Sequence, residues 1–212
     1  MKNQTKILIV SILTVLLLGA MIFGATFAYF SATANSVGNI TGDTYNFDVA
    51  IAFNKVKSDG LVPVMDNLIL TSLNSTNKCV GTNNDSLCSI YQITLTNNGE
   101  QETLTGSIKT GSGTTYTTNH LKYQLYTLSS NTYTAVTDAG NLSKTSGSTN
   151  NFMSSSNNFT VELNESQSKT YYLVIWLSDI GANQLEDANK KFTGSVEFIS
   201  ENGNQISADF TA

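Results

Sequence analysis

The chain has 212 residues, a formal charge of −5, and 11 basic side chains that are all lysine. An acidic chain without arginine excludes nucleic acid, which needs a basic face to displace counterions, and argues against phosphate recognition by guanidinium forks. An apolar content of 40% is too high for simple disorder; with only 13% charged residues, one proline and abundant Asn, Ser, Thr and Gly, the composition is that of a polar extracellular β protein.

The first predicted element is apolar. Ile7 to Phe30 carries no charge, Lys2 and Lys6 precede it, and the next charge is Asp43. As a helix it would be about 36 Å long, enough to cross a hydrocarbon core of about 30 Å. Lysines before it and an acidic chain after it place the start inside and the remainder outside. A basic start, an apolar run and then small residues also make a signal peptide. Ala32-Thr33-Ala34 offers cleavage after Ala34, and Thr26-Phe27-Ala28 a poorer site after Ala28. Retention is the alternative, with Phe23, Phe27, Tyr29 and Phe30 as an outer interfacial belt. Cleavage after Ala34 would remove Lys2 and Lys6, leaving 9 lysines against 16 acids and a charge of −7. Residues 1–34 are therefore a signal peptide or signal anchor, and 35–212 one exported domain.

Beyond the leader the signals are those of strands. Tyr45, Phe47, Val49, Ile51 and Phe53 alternate with polar or small residues at a period of two. Cys79 and Cys88, the only cysteines, flank the turn-forming VGTNNDSL, and an exported chain with two cysteines predicts one local disulfide. Their spacing is not that of a CxxC redox pair. Tyr91, Ile93 and Leu95 form the next strand, ended by the turn signal Asn97-Asn98-Gly99, with Leu104 and Ile108 on a returning strand. Thr110–Asn119 is of low complexity and predicts a long surface loop. Leu121–Leu125, Thr132–Val136 and Phe159–Leu163 are further strands, and Ser143–Asn158 a second low-complexity loop. Tyr171–Leu177 is apolar on both faces, which predicts a central strand with Trp176 buried between two sheets. Asn183–Lys190 is a short helix candidate. Phe192–Phe198 and Ile206–Phe210 complete the pattern. Eight to ten short strands with Gly and Asn turns predict an all-β, two-sheet antiparallel sandwich of jelly-roll type, preceded by one hydrophobic helix.

Chemistry-bearing residues are sparse. The single histidine, His120, begins a strand, and no HExxH, paired-carboxylate motif or phosphate loop accompanies it. A serine-rich chain always allows a Ser–His–Asp set to be drawn, so that pattern carries no weight. Asp179, Glu186 and Asp187 are weak calcium candidates, as are Asn83, Asn84 and Asp85; solvated loops are the alternative for both. No cofactor and no enzymatic activity are expected.

The stretch GATFAYFSATANSVGNITGDTYNFDVAI, with Thr26-Phe27-Ala28-Tyr29-Phe30 at its centre, resembles the start of the TasA/camelysin family of Gram-positive exported proteins. Ser168–Phe198 resembles strands of related exported proteins more loosely, and the likeness does not extend between these regions. The resemblance implies a jelly roll, secreted through a dedicated signal peptidase and assembled into biofilm-matrix fibres. Some relatives are described as metalloproteases, but one histidine supplies no zinc set here. The local disulfide and the lack of a lysine-rich surface depart from the fibre-forming members and point to a surface-anchored cousin that never polymerises. A type IV pilin leader would need a Gly-Phe junction followed by glutamate, which this chain lacks.

Two functions follow as expectations. The first is an exported structural protein of the cell surface or biofilm matrix, self-associating by strand addition between an N-terminal segment and an open sheet edge. The second is an extracellular binding module, tethered in the plasma membrane by residues 7–30, with the two low-complexity loops meeting a glycan or protein. A secreted hydrolase is the least supported reading.

Overall fold

The computed structural model describes residues 47–57 and 60–212. The leader, Ala28, Ala34 and residues 35–46 lie outside the described residues. The described strands are β1 (Val49–Lys57), β2 (Ser89–Asn97), β3 (Glu102–Thr110), β4 (Leu121–Ser129), β5 (Thr132–Ala135), β6 (Gly140–Asn141), β7 (Thr149–Asn151), β8 (Met153–Ser154), β9 (Asn157–Asn158), β10 (Thr160–Leu163), β11 (Ser168–Leu177), β12 (Thr193–Ser200) and β13 (Gln205–Thr211). One helix, α1 (Asp66–Leu73), lies between β1 and β2.

Sheet I runs β1–β2–β11–β4–β5, with β6 also on β4. Sheet II runs β10–β3–β12–β13, with β7 also on β3. The ladders are antiparallel, and the architecture is the expected all-β two-sheet sandwich. Alternation decides the inner faces. Tyr91, Ile93 and Leu95 on β2, Leu173 and Ile175 on β11, and Leu125 on β4 share one buried cluster with Leu104 and Ile108 on β3 and Val196 and Phe198 on β12. Each such side chain contributes about 1.5–3 kcal/mol relative to exposure. Gly106 sits where a Cβ would come within 2.7 Å of both Phe152 and Phe198, so only glycine lets these rings close over β3.

The turn signal Asn97-Asn98-Gly99 does not make a hairpin: β2 lies in sheet I and β3 in sheet II, so the chain crosses the sandwich there. A second crossing, between β10 and β11, nests against the first, because β3 pairs with β10 while β2 pairs with β11. The buried Asn97 side chain clasps both. Its amide nitrogen donates to the carbonyls of Glu100, Leu163 and Asn164 at 2.5, 3.1 and 3.2 Å, and its oxygen accepts the Gly99 N–H at 3.0 Å. This nesting gives the sandwich its jelly-roll character.

Trp176 corrects a sequence expectation. It is buried, but on the outer face of sheet I rather than between the sheets. Val174 and Trp176 of β11 pack there with Ile90, Tyr126, Tyr133, Ile69 and Leu73 of α1, and Cys79 and Cys88. The segment from Leu61 to Cys88 thus lays a third layer over sheet I, which is why both faces of β11 are apolar. Helix α1 carries no clear sequence signal, because its eight residues bury only Ile69 and Leu73, too brief a pattern to stand out.

Two other expectations change. Ser143–Asn158 is not simply a surface loop, since it contributes β7, β8 and β9 and buries Asn150 and Phe152. Asn183–Lys190 holds only a 3-10 turn, Leu185–Asp187.

Candidate functional site

The sheet edges differ in how they are protected. At β5 the carboxamide of Asn74, which caps α1, accepts the Tyr133 N–H at 2.7 Å and donates to the Tyr133 carbonyl at 3.2 Å. A side chain thereby occupies the backbone groups that another strand would use. On the matching edge of sheet II, β7 and β10 are short, at 3 and 4 residues. The opposite side is unlike this. There β1 and β13, of 9 and 7 residues, are the terminal strands of their sheets among the described residues. They lie side by side: the Phe53 ring stacks on Phe210 at 5.8 Å, Tyr91 contacts both rings at 5.3 and 5.2 Å, and the Tyr91 hydroxyl donates to the Thr211 carbonyl at 2.5 Å. From Val49 to Asn54 the β1 edge carries neither charge nor proline. Its guarding features, Lys55, Lys57 and a bulge between them, sit at the far end.

The two low-complexity loops come together. Thr110 donates to the Ser148 carbonyl at 2.9 Å, and Gly147 donates to the Thr110 carbonyl at 2.8 Å. They overhang one end of the outer face of sheet II and leave an open groove of about 700 Å³. Its floor follows the register, with Ser195 of β12 opposite both Lys109 of β3 and Asp209 of β13. Lys109 lies 3.9 Å from Glu197. Gly111 is required by close approach, since a Cβ there would meet the Thr193 hydroxyl at 2.9 Å.

His120 is not isolated. Its Nδ1 lies 2.9 Å from Oδ2 of Asp187, whose side chain is fully buried and whose other oxygen accepts the Thr118 hydroxyl at 2.5 Å. Burial, and then the Asp187 charge, push the nearby Tyr116 hydroxyl up to about 12. No sequence pattern joins His120 to a carboxylate 67 positions away. Hydrolytic chemistry would also need a nucleophile on this histidine, and no serine or cysteine is hydrogen-bonded to its ring among the described residues.

The calcium candidates do not form one ligand set. Asp187 is committed to His120 and Thr118, Asp179 accepts the Gly181 N–H at 2.8 Å, and Glu186 is exposed. Among the described residues no group of three or more His, Cys, Asp or Glu is placed to hold a metal ion. Asp179 and Asp187 do border a second cleft of about 460 Å³, walled by Leu61, Pro63, Leu177 and Leu185.

Cys79 and Cys88 form the expected disulfide, with Cα atoms 5.3 Å apart. Both are fully buried in the layer over sheet I, beside Trp176 and α1. Above the same strand, Asp66 accepts hydrogen bonds from Trp176 and Ser178, each at 2.8 Å, and pairs with Lys122.

No family model matches the chain, and no curated protein matches it. Several solved structures share part of its chain path. A FixG-related protein from Vibrio parahaemolyticus is 6% identical, covering 77% of this chain and 93% of its own, with a TM-score of 0.36. A DUF4466 family protein from Parabacteroides merdae is 12% identical, covering 77% and 43%, with a TM-score of 0.31. The collagen-binding subdomain of the Enterococcus faecalis surface protein ACE is 13% identical, covering 60% and 86%, with a TM-score of 0.22. Likeness at this level assigns no function.

Proposed function

We propose that the chain is an exported structural protein of the cell surface or biofilm matrix, of the TasA/camelysin type, that assembles into fibres by strand addition. The observation that carries this reading is the contrast between edges. Asn74 occupies the free edge of β5, whereas among the described residues no strand pairs with the outer sides of β1 and β13, which lie adjacent. Natural sandwiches normally blunt such an edge, and one left long and uncharged is suited to pair with another chain. Four residues before β1 ends the polar stretch from Asn35 to Thr44 that follows the leader, so a donor and an acceptor stand on one molecule. Head-to-tail pairing of that kind does not close and yields filaments. A buried disulfide and a charge of −5 are compatible with an oxidising exterior.

Electron microscopy of the full chain and of an Ala50→Lys, Ala52→Lys variant tests the reading. Both alanines are exposed, so the fold tolerates the lysines while the edge becomes charged. Filaments from the unmodified chain and none from the variant, at unchanged melting temperature, are expected. Equal assembly by both, or by neither, removes strand addition at β1.

The second reading is a membrane-tethered binding module. The groove formed where the loops Thr110–Asn119 and Ser143–Asn158 meet favours it.

A further inference from the structure

We propose that the groove over the outer face of sheet II binds a neutral saccharide; this rests on the binding-module reading and is independent of assembly. The chemistry of the groove selects the ligand class. An anionic ligand needs several cations, yet among the described residues Lys109 is the one cation lining the groove, and it lies 3.9 Å from Glu197. A metal ion needs several oxygen ligands, and among the described residues Asp209 is the one lining carboxylate. An apolar ligand needs an apolar floor, and the large apolar side chain here, Phe210, is 7% exposed and stacked inward on Phe53, Tyr91 and Phe192.

What remains is a lining of small side chains and backbone, in which separate donors and acceptors stand among methyl and methylene groups. The Asp209 carboxylate and the hydroxyls of Ser112 and Ser146 have no hydrogen-bond partner among the described residues, while glycines 111 and 113 bring backbone to the surface. Sugar hydroxyls both donate and accept, so they match such a set without requiring net charge. The volume of about 700 Å³ falls in the range of small-molecule sites and suits a short run of sugar rings. Cell-wall glycan and matrix polysaccharide share this chemistry.

The test is calorimetric titration of the full chain, held in a zwitterionic detergent that carries no sugar. Chitohexaose represents N-acetylated wall glycan, cellohexaose an unacetylated matrix glucan, and a heparin-derived hexasaccharide an anionic competitor. Saturable binding of one neutral hexasaccharide is expected, and which one it is distinguishes the sources. Asp209→Ala should weaken it by about tenfold, the loss of one hydrogen bond to a charged group. Ser146→Trp should block the groove, and both variants should melt as the unmodified chain does. Should either variant misfold, Ser112→Ala takes its place, with a smaller loss expected. Failure of both neutral sugars, preference for the anionic one, or equal binding by the variants overturns the proposal. Retained binding to isolated wall or matrix material that no sugar competes would overturn the saccharide alone; absence of all binding would remove the binding-module reading as well.

Discussion

The indole N–H of Trp176 donates to Oδ1 of Asp66 at 2.8 Å, joining the first turn of α1 to the strand that it covers. The same oxygen accepts the Ser178 hydroxyl, and Oδ2 faces Lys122. One carboxylate therefore links helix, β11 and β4. Burial alone would raise its pKa, but the hydrogen bonds from Lys122, Trp176 and Ser178 outweigh that and hold it below the ordinary 3.8. The ionised form thus favours the fold. Its contribution is present above the unfolded value and is lost as pH falls through the folded one. Asp66→Asn should lower stability at neutral pH and flatten the loss of melting temperature below about pH 4. Melts of both proteins across that range check it; parallel curves would contradict the role.

Trp176 itself fills the layer beneath α1. Trp176→Ala should cost about 3–5 kcal/mol through lost transfer energy and a cavity. Native emission should resemble that of a buried indole and shift to the red on unfolding. A water-like native spectrum, or an alanine variant that melts unchanged, would count against this packing.

How far the sequence carries can be judged from these residues. Period-two alternation located β1, β2, β4, β12 and β13 because each turns one face to the core between the sheets. The doubly apolar Tyr171–Leu177 correctly indicated a central strand. It did not say which second face covered it, since a helix and a disulfide layer bury apolar side chains as well as a sheet does. Phe152 and Asn150 lay hidden in a serine- and asparagine-rich stretch, where composition outweighs a single buried ring. Both tight hairpins, Ser130-Asn131 and Ser155-Ser156, have positive φ at their two central residues without the glycine that normally announces them. The groove was legible only as two polar loops; their meeting depends on long-range pairing of β3 with β7 and β12.

Glu102 should respond to pH with the opposite sign. It is 4% exposed, and its Oε1 has no hydrogen-bond partner. Burial, then the charges of Glu201 and Glu100, push its pKa above the ordinary 4.5. A raised folded value means that its stabilising contribution is full below 4.5 and is lost as pH rises through the folded value. Glu102→Gln should therefore stabilise the domain at neutral pH, with the advantage shrinking toward pH 4.5. Melting temperatures of both proteins between that value and neutrality decide it, and a glutamine variant less stable at neutral pH would reverse the argument.

The disulfide should be protected by the layer that contains it. Non-reduced peptide mapping should show Cys79 joined to Cys88, whereas two free thiols in protein purified without reductant would rule the bond out. Closing a loop of 9 residues contributes roughly 2–3 kcal/mol in the chain-entropy model. Cys79→Ser should cost about that much, plus the burial of an unpaired hydroxyl in an apolar cluster. Because both cysteines are fully buried, a reductant should act slowly on the native protein and quickly once denaturant is present.

The clasp at Asn97 and the terminal position of β1 among the described strands make the final prediction, which separates folding from assembly. Asn97 ties together the two crossings that close the sandwich, and every residue it bonds lies beyond Thr44. Asn97→Ala should cost about 2–4 kcal/mol, because it strands buried carbonyls and one N–H. Among the described residues, none of these contacts involves the segment before Thr44. A version beginning at Thr44 should therefore fold, with the melting temperature of the longer chain, yet form no filaments. A version beginning near Tyr29 or Asn35 retains the polar stretch and should polymerise at the edge of β1 and β13. Sedimentation and electron microscopy of the two versions distinguish the outcomes. Equal filament formation by both would remove the donor segment from the mechanism. No filaments from either would turn the argument toward the tethered module, whose working surface is the groove rather than the edge.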